Sequence, residues 1–455
     1  MTDSSDLSSD EVGRSLVRLA VPMVFGLAAV LSQSLVDTYF VGKLGTVQLA
    51  ALSFTFPVAL IFSSLSIGIS AGASSFVSRS IGSGNSDQAK RLTTDSLILS
   101  AITITLLSII GILTIEPFFT LLGASSDVLV YIRRYMIIWY ISAPFLVVGI
   151  VGHGCMRAAG DGLSPSLIMV GSALINVGLT PALMYGWHWF PELDIEGVAY
   201  ATLIACATNL FATIFVLYRV NKLFTFAPPG LMCLAQSIQR ISGIAFPASF
   251  GNVANPIGIA IVTSLLARFG ESAVAGYGVA TRVEAFACLP MMACAAAVGP
   301  IAGQNWGAGK RSNLIKLLKL CYVICFATGA LLVALLWFSG ELLTSMFTDD
   351  EPVQNKAVLY LHCTMLALWG TGLASVCANA FNGIGRPLYA AGILLARTFF
   401  LLVPIAVVTA FLLDKLMAVF IGIALAGALG GVASAAWTLV WFTKNRCPNE
   451  ALADT

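Results

Sequence analysis

Few side chains in this chain could do chemistry, and those few are oddly placed. Asp37 sits in LSQSLVDTYFVGKLG, which closes a stretch otherwise apolar from Leu19 onward. Asn176 and Thr180 interrupt the apolar GSALINVGLTPALMYG, and their spacing of four puts them on one face of a helix. Thr202, and Gln33 one turn before Asp37, are further polar candidates. One carboxyl among neutral oxygens and amides is suited to taking up and releasing a proton or a small cation. Burial disfavours the ionised form of a carboxyl, and bringing it to exchange near neutral pH takes about 4 kcal/mol of differential solvation. No nucleotide loop, nucleophile triad or metal-ligand spacing accompanies these residues, so an enzyme is not expected. The ten cysteines are scattered without a CxxC pair, and Cys321 and Cys325, four apart, read as helix packing.

The elements that must hold these groups are membrane helices. Of the 455 residues, 58% are hydrophobic and 10% charged, with mean hydropathy +0.91. A soluble chain carries about 25% charged residues. A spanning helix needs about 20 apolar residues, so the chain has room for roughly twelve. Long continuous apolar runs, rather than period-two alternation, exclude a membrane β-barrel. Hydropathy predicts spans near 16–40, 48–78, 95–123, 131–156, 163–187, 195–218, 241–267, 273–303, 314–347, 356–381, 388–413 and 417–442. The opening MTDSSDLSSDEVGRS is acidic and polar, with no signal-peptide pattern, so the first span is expected to be retained. With the N-terminus inside, sixteen of the 24 Lys and Arg fall on cytoplasmic segments, and both termini are expected in the cytoplasm. The net charge of +2 says little about partners, and no nucleic-acid partner is expected.

The two halves repeat. LAVPMVFGLAAV from Leu19 matches IAFPASFGNVAN from Ile244 at an offset of 225, and Gly82 and Gly84 meet Gly307 and Gly309 at the same offset. CMRAAGDGLSP (155–165) resembles CANAFNGIGRP (377–387) at an offset of 222. An even number of spans separates the copies, so they share one orientation across the membrane. The expected architecture is all-α: twelve transmembrane helices in two pseudo-symmetric six-helix bundles facing a central cleft. The lobes are expected at 1–220 and 241–455, with 221–240 as the linker.

Asp37 aligns with Val262, so the acid belongs to one lobe only. An Asp at the middle of a span costs about 2.5–3.5 kcal/mol on insertion scales, and something must offset that. Pro22, fifteen residues earlier, marks a possible bend in the same helix that could respond to the protonation state of Asp37. Arg282 and Glu284 in the eighth span, and Arg397 in the eleventh, each require a partner or a wet cavity. Tyr135, Trp139 and Tyr140 either line a cavity for amphipathic solutes or form an interfacial belt.

VDTYFVGKLG, GQNWGAGKR, MRAAGDGLSPS, NGIGRP and EGVAYAT together resemble the MATE family, the multidrug and toxic compound extrusion transporters, across residues 12 to about 443. The resemblance implies antiport of cationic or amphipathic compounds against protons or sodium: multidrug efflux of xenobiotics and antibiotics, across the inner (cytoplasmic) membrane. It places Asp37 and Asn176 in the family's N-lobe cation-coupling site. Many relatives carry a second aspartate where Thr180 precedes Pro181, and NorM-like members a glutamate where Asn255 stands. These departures favour a DinF-like, proton-coupled branch. No cofactor is expected, a single copy is expected to be the functional unit, and the partners are the lipid bilayer and small-molecule substrates. Sodium coupling and a lipid-linked precursor flippase of the same superfamily are the alternatives, the latter disfavoured by the scarcity of basic residues in the spans.

Overall fold

A backbone in hydrocarbon must satisfy its own hydrogen bonds, and an apolar run does so by forming a helix. The computed structural model describes residues 7–8, 11–187, 190–225, 231–445 and Cys447, with side chains for all but 231–235 and Leu366. Among the described residues there is no strand. The helices are α1 (Val12–Leu44), α2 (Thr46–Gly82), α3 (Ser86–Leu113), α4 (Ile115–Leu121), α5 (Ser126–Ala158), α6 (Leu163–Tyr185), α7 (Ile195–Arg219), α8 (Leu231–Leu266), α9 (Glu271–Ala287), α10 (Leu289–Gly307), α11 (Arg311–Ser345), α12 (Glu351–Thr364), α13 (Leu368–Gly383), α14 (Pro387–Leu395), α15 (Val403–Val408) and α16 (Leu416–Lys444). Two π-helical segments, Ala396–Leu402 and Thr409–Leu413, carry α14 and α15 on as one span of 27 residues. Ten helical stretches are long and apolar enough to cross a bilayer. Two bent pairs, α9 with α10 (54°) and α12 with α13 (61°), bring the spans to twelve.

The repeat is sharper in the backbone than in the residue letters. Helices starting at Thr46, Ser86 and Ser126 have counterparts starting at Glu271, Arg311 and Glu351, all at an offset of 225. The offset stays at 225 beyond the fourth span, where letter matching gives 222. Gly160 (φ 83°) pairs with Gly385 (φ 79°), as Gly84 (φ 80°) pairs with Gly309 (φ 75°). These turns demand a left-handed conformation that glycine adopts without strain, so the backbone fixes the register. A packing contact repeats as well. A Cβ on Gly26 would lie 3.2 Å from Ser166 Cα, and one on Gly251 would lie 2.9 Å from Ala391 Cα.

The chain divides into two compact units. The first holds Phe25–Ile81 and Asn85–Ser249; the second holds Phe250 onward, the turn Gly82–Gly84 and the described residues up to Val24. This differs from lobes at 1–220 and 241–455 in two ways. First, the start of the chain belongs to the second unit, because Leu7, Val12, Leu16 and Leu19 are buried in its core. The Leu7 amide donates to Gln304 Oε1 at 2.9 Å, and Asn305 Nδ2 donates to the Leu7 carbonyl at 3.0 Å. Second, the expected linker 221–240 already contains the start of α8, which continues in the first unit to Ser249. Residues 226–230 of that segment lie outside the described residues. Within the first unit, α8 packs so closely on α2 that a Cβ on Gly68 would lie 2.6 Å from the Ala245 carbonyl oxygen. Cys321 and Cys325 are fully buried in the second unit's core.

Candidate functional site

The first unit brings Asp37, Asn176, Thr180 and Thr202 close along α1, α6 and α7. The Thr180 hydroxyl of α6 donates to Asp37 Oδ1 of α1 at 3.1 Å. One turn earlier on α6, Asn176 Nδ2 donates to Thr202 Oγ1 of α7 at 3.2 Å, and that hydroxyl donates to the Val198 carbonyl at 3.0 Å. Asn176 and Thr180 are both fully buried, and Asp37 is half-buried. Local sequence supports the geometry. Pro181 cannot donate the helical bond to the Val177 carbonyl, so α6 is loosened directly after Thr180. Asp37 is also within electrostatic reach of the Tyr135 phenol of α5 and the Cys206 thiol of α7.

A single proton changes what Asp37 can bond. Ionised, Asp37 only accepts hydrogen bonds; protonated, it gains a donor. The buried Asn176 Oδ1 has no hydrogen-bond partner, and a buried acceptor in that condition calls for a donor. The oxygens of Asp37, Thr180 and Asn176 are the ones that could meet a cation, with one negative charge among them. Among the described residues, no three His, Cys, Asp or Glu side chains group as metal ligands.

Other expected residues are placed elsewhere. Gln33 is half-buried on α1 and makes no side-chain hydrogen bond among the described residues. Pro22 lies in α1, which runs unbroken past it, in the part of that helix belonging to the second unit. Trp139 and Tyr140 are buried with Phe62 in an aromatic cluster, with ring centroids 5.2 and 5.8 Å from it. Tyr140 fills the notch over Gly111 of α3, where an added Cβ would lie 2.4 Å from the ring. Packing therefore uses both rings, and only Tyr135 of the three joins the Asp37 group. Tyr140→Phe is expected to leave transport unchanged, whereas Gly111→Val lowers the thermal midpoint of the purified chain, by about 1–3 kcal/mol of overpacking.

Cys206, beside Asp37, carries no sequence signal, and Tyr360, in the second unit, carries an unused one. Cys206 is one of several cysteines in apolar surroundings. In the second unit, Glu284 accepts a hydrogen bond from Tyr360 at 2.7 Å. Tyr360 is the counterpart of Tyr135 at the repeat offset, which is the signal that could have found it.

Comparison with known proteins identifies the family of the chain. A family model described as MatE matches residues 22–182 and again 247–408. A Shewanella oneidensis protein named FAD transporter is 36% identical over 435 residues, covering 95% of this chain and 96% of that protein. The probable multidrug resistance protein YoeA of Bacillus subtilis is 26% identical, covering 88% of each. Among solved structures, a mutant of the Vibrio cholerae MATE transporter VcmN has a TM-score of 0.91 at 24% identity, covering 98% of this chain and 99% of that one. VcmN in its bent form has a TM-score of 0.88 at 25% identity, covering 97% and 99%. One family model thus matches each half of a twelve-span chain once, and the chain belongs to the MatE family of membrane transporters.

Proposed function

We propose that this transporter exports amphipathic and cationic organic compounds across the cytoplasmic membrane in exchange for protons, with Asp37 carrying the proton. The hydrogen bond from Thr180 to Asp37 supports this most directly, because it fixes a membrane carboxyl among neutral partners inside one unit. An intramembrane acid that faces such partners is by default a functional group. Sodium would require more oxygen ligands and more negative charge than one carboxylate supplies, which favours the proton. One proton crossing 100 mV releases about 2.3 kcal/mol. For a neutral solute that sustains a gradient of roughly fortyfold, since about 1.4 kcal/mol is tenfold, whereas one-for-one exchange with a monovalent cation moves no net charge and is driven by the pH difference alone.

A second reading has its own observation. The Shewanella relative named FAD transporter matches across nearly the whole chain, which makes a flavin dinucleotide a candidate cargo. Inside-out vesicles with an imposed pH gradient test both readings. Uptake of a cationic dye that needs the gradient and ignores sodium supports proton-coupled drug export. Uptake of the flavin with none of the dye supports the second reading, and dye uptake driven by sodium alone sinks proton coupling. Thr180→Asp adds a second carboxylate beside Asp37. It is expected to make dye transport respond to sodium, read as a several-fold stimulation absent from the parent chain.

A further inference from the structure

The second unit holds charged groups that the export mechanism above does not use. Glu284 lies in α9, four residues before the break at Cys288. Tyr360 lies in α12, shortly before the break into α13, and its hydroxyl donates to Glu284 Oε2 at 2.7 Å. Arg397 lies in the π-helical segment that interrupts the eleventh span. Irregular turns of this kind recur at functional sites. Arg397 and Glu284 act on each other electrostatically, and both are half-buried. Yet among the described residues no ion pair or hydrogen bond joins them, and Arg397 has no hydrogen-bond partner.

These atoms nevertheless have access to open space. The Arg397 nitrogens, Glu284 Oε1 and the Tyr277 hydroxyl are not among the polar atoms sealed from solvent without a partner. An unpaired guanidinium is costly in hydrocarbon, which favours a wet cavity over lipid in that space. The repeat sharpens the contrast. Tyr135 in the first unit stands by an acid alone, while its counterpart Tyr360 stands by an acid with a cation in reach.

We propose that Arg397 binds an oxyanion of the cargo, a phosphate group foremost, and that protonation of Glu284 frees it to do so. The guanidinium fork matches phosphate oxygens two at a time. With Glu284 ionised, its charge offsets Arg397. When Glu284 takes a proton, the cation is left for the anion; when the proton leaves, the carboxylate charge again offsets Arg397 and the anion is expelled. The groups facing Glu284 are Tyr277 and Cys288 on and after α9, Tyr360 on α12 and Arg397, with Cys325 of α11 beside Cys288. Tyrosine and cysteine are ordinarily neutral near pH 7, so the switch belongs to Glu284. Arg282, exposed on the same helix, has only a long contact of 3.5 Å to the Gly278 carbonyl.

The cargo role rests on the export reading, so the test measures binding, which does not. Flavin mononucleotide and riboflavin differ by one phosphate and both fluoresce. The purified full chain is expected to bind the mononucleotide at least tenfold more tightly at pH 5.5 than at pH 8, although its phosphate carries more charge at pH 8. Riboflavin is expected to show no such difference. Arg397→Gln abolishes the preference for the phosphate, and Glu284→Gln makes binding tight at both pH values. Parental mononucleotide binding in Arg397→Gln overturns the proposal, as does an unchanged pH dependence in Glu284→Gln, which decides alone if Arg397→Gln does not fold. A chain that binds in the expected pattern yet moves no solute overturns the export reading and leaves the site standing.

Discussion

Asp37→Asn is expected to reduce proton-driven dye efflux to the background of empty vesicles while the protein stays folded. The substitution keeps the shape and keeps an oxygen to accept from the Thr180 hydroxyl, which lies 3.1 Å from Asp37 Oδ1. What it removes is the ability to gain and lose a proton. Folding should not suffer, because a half-buried carboxylate costs solvation that a neutral amide does not. The thermal midpoint of Asp37→Asn should therefore equal or exceed that of the parent. The two measurements together separate a coupling role from a structural one. Loss of efflux with an unchanged midpoint supports coupling, whereas retained gradient-driven efflux means that the proton travels by another group. Asp37→Glu keeps the titrating group but extends it by one methylene, away from the hydroxyl that holds it. It is expected to retain pH-dependent efflux at a reduced rate.

The first unit's acid is legible in the sequence because polar side chains stand out in apolar spans. Asp37, Asn176 and Thr180 have few competitors there, and the repeat shows that Asp37 has no counterpart. The twelve spans are legible for a related reason: a bilayer sets one length scale and the sequence obeys it. Aromatic residues give no such contrast. Tyr135, Trp139 and Tyr140 lie on one helix with similar character, and only tertiary packing separates the one near Asp37 from the two buried against Phe62. The breaks divide in the same way. Pro290 lies two residues past the break at Cys288, and its missing N–H and ring clash are a readable cause of the bend there. The break between α12 and α13 contains no proline, and nothing in the residue pattern announces it. The placement of the chain's start in the second unit depends on what Gln304 and Asn305 reach, and a linear pattern does not record that.

Gly431→Leu is expected to cost the second unit the most stability of any single change at a glycine that faces α13. In a membrane, no hydrophobic effect drives helices together, so close packing carries the association. Helices α13 and α16 meet backbone to backbone. A Cβ on Gly431 would lie 2.4 Å from Gly370 Cα, and one on Gly370 would lie 2.2 Å from the Gly427 carbonyl oxygen. Backbone atoms cannot rotate aside, so even alanine must push the helices apart. Overpacking of this kind costs about 1–3 kcal/mol, and leucine lies at or beyond the upper end. For a unit of this size that corresponds to a fall of roughly 5–10 °C in thermal midpoint. Separation would also disturb the charged groups of the second unit, because Gly430 faces Arg397, whose Cγ would lie 2.9 Å from an added Cβ. Gly392→Leu is the control, since nothing lies within 4 Å of a Cβ built there. Thermal unfolding of the three chains in detergent reads the outcome. A midpoint for Gly431→Leu within 1 or 2 °C of the control, on the order of the effect of a surface change, would show that α13 and α16 are not held by this contact.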